Sequence, residues 1–168
     1  MTKENYIVTK SITCCFTGHR KLPKDNYPTI KSNLRTAVVN NIENGYRFFE
    51  AGGALGFDTI AAQTVLELKE SYPQIRLILV LPCVTQTKSW QKDDIDEYNR
   101  IKELADEVVY TSKEYSKGCM HKRNRYLVDH STLCICYLTE SKCGTAYTVK
   151  YAERKGVSVI NIAKSQDD

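Results

Sequence analysis

Short, almost continuously apolar segments alternate along the chain with stretches whose apolar residues recur at helical spacing. Ser11 to Thr17 gathers Ile12, Cys14, Cys15 and Phe16, which predicts a buried strand. From Tyr27 to Asn44, the residues Ile30, Leu34, Ala37, Val38 and Ile42 predict a helix that Gly45 stops. Arg47 to Ala51 predicts a second strand, and Ile60, Ala61, Thr64, Val65 and Leu68 a helix ending before Pro73. Ile75 to Leu81 is the strongest strand signal, closed by Pro82. A helix over Ile95, Tyr98, Ile101 and Ala105 precedes a short strand at Glu107 to Thr111. Met120, Asn124, Leu127 and Val128 then share one helical face before a strand at Thr132 to Leu138. Gly144 opens a last helix, which carries Thr148, Val149 and Ala152 and ends at Gly156, and Val157 to Ile162 completes the strands.

Apolar strands separated by amphipathic helices specify a parallel sheet covered on both faces. Right-handed crossovers make such a sheet doubly wound. The expected architecture is therefore α/β: one Rossmann-like domain over residues 1–168, with loose ends at 1–10 and 164–168.

Composition narrows the class further. The 168 residues are 42% hydrophobic and 26% charged, ordinary globular usage that excludes disorder and coiled coil. No stretch reaches the roughly 18–20 apolar residues that cross a bilayer, and Met1 to Lys10 lacks an apolar signal core. A soluble, cytoplasmic protein without a membrane partner is expected. The seven cysteines are odd in number and form no CxxC ladder. Cys14, Cys15, Cys134 and Cys136 fall in apolar strands, where a thiol acts as a small hydrophobe. Cys119 and His121 lack a second ligand pair, so no metal is expected, and no cofactor is implied. The net charge of +4 is too small to imply nucleic acid by itself. Its one local concentration is Lys113 to Arg125, where Lys113, Lys117, Lys122, Arg123 and Arg125 face Glu114 alone. That run reads either as a solvated helix face or as an anion site.

Ligands of an open parallel sheet bind beyond the carboxyl ends of its strands. Three unusual segments follow strands here: Gly18-His19-Arg20, Gly52-Gly53-Ala54-Leu55-Gly56, and Gly144-Thr145. The glycine loop lets an anion approach backbone N–H groups, or serves as a plain tight turn. It matches neither a Rossmann nor a Walker fingerprint. Thr145 either donates to a ligand or caps its own helix. Asp58 either stabilises the first helical turn or accepts from ribose hydroxyls. Arg20 and Arg123 are suited to bidentate phosphate binding, with surface ion pairs as the alternative. Asn124 shares an apolar face and needs amide partners. His19 follows a buried strand and Trp90 follows the third; Trp90 either stacks on a base or covers the sheet edge.

Together these segments resemble the SLOG superfamily, which joins the Rossmann-like domain of the Smf/DprA proteins with the LOG nucleotide phosphoribohydrolases. The chain is most similar to the stand-alone YpsA-like branch. The resemblance rests on Cys15-Phe16-Thr17-Gly18-His19-Arg20, Glu50 to Asp58, Arg123-Asn124 with Leu127-Val128-Asp129, and Cys143 to Val149, in that order. It implies a Rossmann-like fold with a nucleotide-like ligand lined by Gly18, Arg20, Gly52, Gly53, Gly56, Asp58, Arg123, Asn124, Gly144 and Thr145. LOG-type hydrolases resemble one another in a Pro-Gly-Gly-x-Gly-Thr-x-x-Glu segment whose Glu takes part in glycosidic cleavage. Here Thr148 stands in that place, and a threonine cannot ionise near neutral pH. Glu50 and Asp58 are the remaining catalytic candidates.

Three readings follow. The first is a sensor or regulatory protein that binds a nucleotide-like small molecule with little or no catalysis. The second is a nucleoside-monophosphate N-glycosidase, which two phosphate-binding loops favour and Thr148 opposes. The third is a nucleic-acid or protein interaction module, supported only by the Lys113 to Arg125 cluster. Homo-oligomerisation is left open.

Overall fold

The computed structural model describes residues 6–164. Of the ends expected to be loose, 1–5 and 165–168 lie outside the described residues. Tyr6, by contrast, packs its ring 5.7 Å from that of Phe48. The elements in chain order are β1 (Thr13–Gly18), α1 (Tyr27–Glu43), β2 (Phe48–Ala51), α2 (Phe57–Leu68), β3 (Arg76–Leu81) and α3 (Lys92–Leu104). They continue with β4 (Glu107–Tyr110), α4 (Cys119–Asp129), β5 (Leu133–Tyr137), α5 (Gly144–Arg154) and β6 (Ser158–Asn161).

All six strands are parallel, in the order β4-β3-β2-β1-β5-β6. The chain builds outward from β1 through β4, then crosses back to place β5 on the other flank of β1. This is the expected doubly wound α/β fold, and its direction reverses between β1 and β5. The β1–β5 register pairs Cys15 with Cys134 and Gly18 with Tyr137, so both strands end at the same level.

Period-two alternation divides the apolar residues between two layers. Phe16, Phe49, Leu77 and Leu79 face α1, α2 and α3 through Leu34, Phe57, Ile60 and Ile101. Cys15, Ile78, Val80, Cys134 and Cys136 face α4 and α5 through Leu127, Val128, Val149 and Ala152. The strand cysteines are free, fully buried thiols that fill the centre of the sheet. Edge strands are less covered: β6 alternates exposed and half-buried residues.

One boundary moves inward from the apolar pattern. Residues Lys10–Ile12 form a 3₁₀ turn, so β1 begins at Thr13 rather than Ser11. The Thr13 hydroxyl donates to the Thr9 carbonyl at 2.7 Å, and the Ile12 N–H shares that acceptor. These local bonds wind the segment into a turn, although the Ile12 carbonyl still accepts from the Arg47 N–H at 3.0 Å beside the β1–β2 ladder. Trp90 packs edge-on against Tyr98 of α3 at 5.4 Å. No helix among the described residues is long and apolar enough to cross a membrane.

Candidate functional site

The ends of β1 and β5 open into a crevice of about 390 Å³, lined by Gly18, His19, Arg20, Asp58, Arg123, Asn124, Gly144 and Thr145 among others. It lies at the topological switch point, where an open parallel sheet leaves room for a ligand. Its lining is drawn from separate segments that run from Phe16 to Thr145 along the chain.

Two of these groups shape the floor. Gly18 closes β1, and a Cβ there would overlap the Phe57 ring, so glycine lets α2 seat against the strand end. His19 Nε2 accepts from the N–H of Thr139 at 3.0 Å, which straps the β1 end to the β5 end. Its ring meets Tyr137 edge-on at 5.8 Å.

Charge enters from α4 and α2. Arg123 is only 4% exposed. Its Nη1 donates to the Gly52 carbonyl and its Nε to Asn124 Oδ1 at 2.8 Å. Burial pulls its pKa down and nearby Asp58 opposes that shift. An arginine nevertheless stays cationic in proteins. Asp58 is buried, and its Oδ2 accepts from the Ala54 N–H at 3.2 Å. Burial raises its pKa against the pull of Arg123, the Ala54 N–H and Arg20. Arg20 is exposed at the mouth. Two guanidiniums against one carboxylate leave the crevice with an excess of positive charge.

The α5 start supplies donors. Its cap is Cys143, whose Sγ accepts from the Ala146 N–H at 3.4 Å; the alternative of Thr145 as cap is therefore not realised. The N–H groups of Gly144 and Thr145 make no backbone hydrogen bond among the described residues. A helix N-terminus with free amides favours an anion. Thr148 is 1% exposed and spends its hydroxyl on the Gly144 carbonyl at 3.0 Å.

Four sequence candidates lie outside this lining. The Arg123 guanidinium fills the space beside Gly52, Leu81 the space beside Gly53, and the Arg20 carbonyl the space beside Gly56. The first amide of α2, on Phe57, is already bonded to the His19 carbonyl. The three glycines of the loop thus pack against protein atoms wherever a side chain would stand, and they lie outside the lining of the crevice. Glu50 is buried at 2% exposure on the α4–α5 face of the sheet, beside Cys15. Sequence reasoning missed Gln86, whose Nε2 donates to the Gly52 carbonyl at 3.4 Å, and Tyr98, whose hydroxyl donates to Gln86 Oε1 at 3.4 Å. Burial pushes the Tyr98 phenol up to about 12. His121 and Cys143 also line the crevice. Among the described residues, no group of three or more potential ligands is gathered for a metal. Lys117, Lys122 and Arg125 of the basic run line a second, shallower concavity beside the crevice.

Residues 14–163 match the model of the YspA SLOG family. The uncharacterized SPbeta prophage-derived protein YoqJ of Bacillus subtilis (strain 168) is 36% identical over 139 residues, covering 74% of this chain and 81% of its own. Among solved structures, DNA processing protein A from Helicobacter pylori is similar with a TM-score of 0.62 and 18% identity over 89% of this chain. That structure is described for the protein's single-stranded DNA binding mode. DNA processing protein A (DprA) from Streptococcus pneumoniae gives a TM-score of 0.66 and 18% identity over 94% of this chain. The chain spans 64% and 52% of those two proteins, and at such identity the likeness is one of fold.

Proposed function

The chain belongs to the YspA SLOG family, and on that premise we propose that it binds a nucleotide or nucleotide-derived ligand in the crevice, as a sensor or regulatory protein with little or no catalysis. One observation carries the reading: the buried Arg123 guanidinium and the free amides at the α5 start face a common space at the switch point. A phosphate set against those amides gains the helix-terminal field and charge-assisted bonds from arginine. Asp58 keeps one carboxylate oxygen for a ribose hydroxyl, and the amide nitrogen of Asn124 is left for a base or sugar edge. Of the acids considered for catalysis only Asp58 lines the crevice, and it is held by the Ala54 N–H beside Arg123. Thr148 is buried and bonded within its helix, and Glu50 lies off the crevice. The competing reading, binding of single-stranded nucleic acid as in the H. pylori protein, draws on the Lys117, Lys122 and Arg125 concavity alone.

Titration calorimetry against AMP, ADP-ribose, NAD and cyclic nucleotides tests the proposal. At least one is expected to bind, and Arg20→Ala, at an exposed position, should weaken that binding about tenfold by removing a charge-assisted contact. Arg123→Lys should weaken it as much, because the planar fork is lost. Binding of none of them, or affinities unchanged in both variants, overturns the reading.

A further inference from the structure

Beside the crevice, on the outer side of α4, lies a second concavity of about 450 Å³ lined by Lys117, Lys122, Arg125, His121 and Tyr147 among others. His121 is part of both walls, so the two spaces lie side by side, separated by one imidazole. Arg123 and Arg125 stand two residues apart on α4 and therefore point to different sides of the helix. The first enters the crevice and the second lines the shelf.

No aspartate or glutamate lines this shelf. Among the described residues, Lys117, Lys122 and Arg125 make no ion pair. Three cations thus share a concavity with no protein counter-charge, an arrangement that attracts an anion. The shelf also has an aromatic component. Tyr147 is 37% exposed, its ring meets His121 at 4.6 Å, and its hydroxyl accepts from Arg125 at 3.5 Å. A fixed, half-exposed ring beside cations is suited to carry a base while its phosphate is neutralised.

Resting on the nucleotide reading of the crevice, we propose that the shelf is its second subsite and that the ligand is a dinucleotide, with one unit in the crevice and the other on Lys122, Arg125 and Tyr147. Each space falls in the range of about 300–1,000 Å³ that holds a small ligand, so the pair suits two nucleotide units. The extent of the positive run favours a short ligand over a strand. Past Tyr147 the surface returns to mixed charge, with Glu153 between Lys150 and Arg154.

The test compares three probes by calorimetry on the full chain: AMP, the 5′-phosphorylated dinucleotide pApA, and an oligothymidylate of about twenty nucleotides. The expected result is that pApA binds at least about tenfold more tightly than AMP. The Lys122→Ala/Arg125→Ala double variant should lose that advantage while AMP affinity stays within about twofold. Tyr147→Ala should lose part of it. Equal affinities for AMP and pApA, or equal weakening of both by the double variant, overturns the second subsite while leaving the crevice standing. Oligothymidylate binding more tightly than pApA, with steep loss in salt, overturns it in favour of a nucleic-acid track. Absence of any AMP or pApA binding overturns the subsite, whereas the crevice reading falls only if ADP-ribose, NAD and the cyclic nucleotides also fail to bind.

Discussion

Glu50 sits in a strand whose other members, Phe48, Phe49 and Ala51, are all buried apolar residues. Its Oε2 has no hydrogen-bond partner among the described residues. Burial, then the neighbouring Cys15 thiol and Glu107, push its pKa up to about 9. It is therefore protonated at neutral pH and serves the fold as a buried acid. An acid whose folded pKa exceeds its unfolded value stabilises the native state only while protonated. Its contribution is complete below pH 4.5 and drains away as pH rises toward 9. Glu50→Gln keeps the shape and removes the titration. The melting temperature of the parent is expected to fall between pH 5 and pH 9 by several degrees more than that of Glu50→Gln. Parallel profiles would show that Glu50 ionises freely in the folded protein. In the sequence, a carboxylate at a strand end reads as a candidate acid for chemistry. The period-two alternation that puts it beside Cys15, away from the crevice, becomes decisive only once the register with β1 is known.

At the scale of elements, the glycine loop between β2 and α2 shows where pattern and geometry part. The sequence announces a tight glycine turn at a strand end, and that turn is present. It does not reveal what each glycine makes room for. Gly56 has φ of +75°, and a Cβ there would overlap the Arg20 carbonyl. Both the left-handed backbone and the backbone contact resist any side chain. Gly56→Ala should therefore destabilise the fold by about 3 kcal/mol. Calorimetric melting should show a drop of roughly 6–12 °C for a chain of this length. A drop under about 2 °C would mean that the loop has slack that the packing against residues 19–20 does not suggest. Gln86 shows the converse. It lies in a turn-rich segment with no periodicity, and only the folded position of Tyr98 and Gly52 makes it a buried support for the site. Helix α5 was legible from Gly144 onward, but its cap was not, because cysteine is not among the usual cap residues.

Over the whole molecule, the alternation of apolar runs and amphipathic helices was sufficient for the doubly wound sheet. Burial on both faces leaves no other economical arrangement for strands such as Arg76–Leu81 and Leu133–Tyr137. The candidate site reads in the sequence as a set of strand-end residues, and the structure gathers Gly18, His19, Arg20, Asp58, Arg123, Asn124, Gly144 and Thr145 around one crevice. What the pattern did not contain is direction. Which carbonyl Arg123 reaches depends on how α4 packs over β1 and β3, and which amides stay free depends on where α5 begins. The central claim is that a nucleotide occupies the space between these groups. The most direct measurement is a map of backbone amide chemical shifts during titration with AMP. The largest changes are predicted at Gly18, Arg20, Asn124, Gly144 and Thr145. Changes centred instead on the groove between α1 and β6, at Asn33, Asn40 and Asn161, or no changes with AMP, ADP-ribose, NAD or a cyclic nucleotide at millimolar excess, would contradict it.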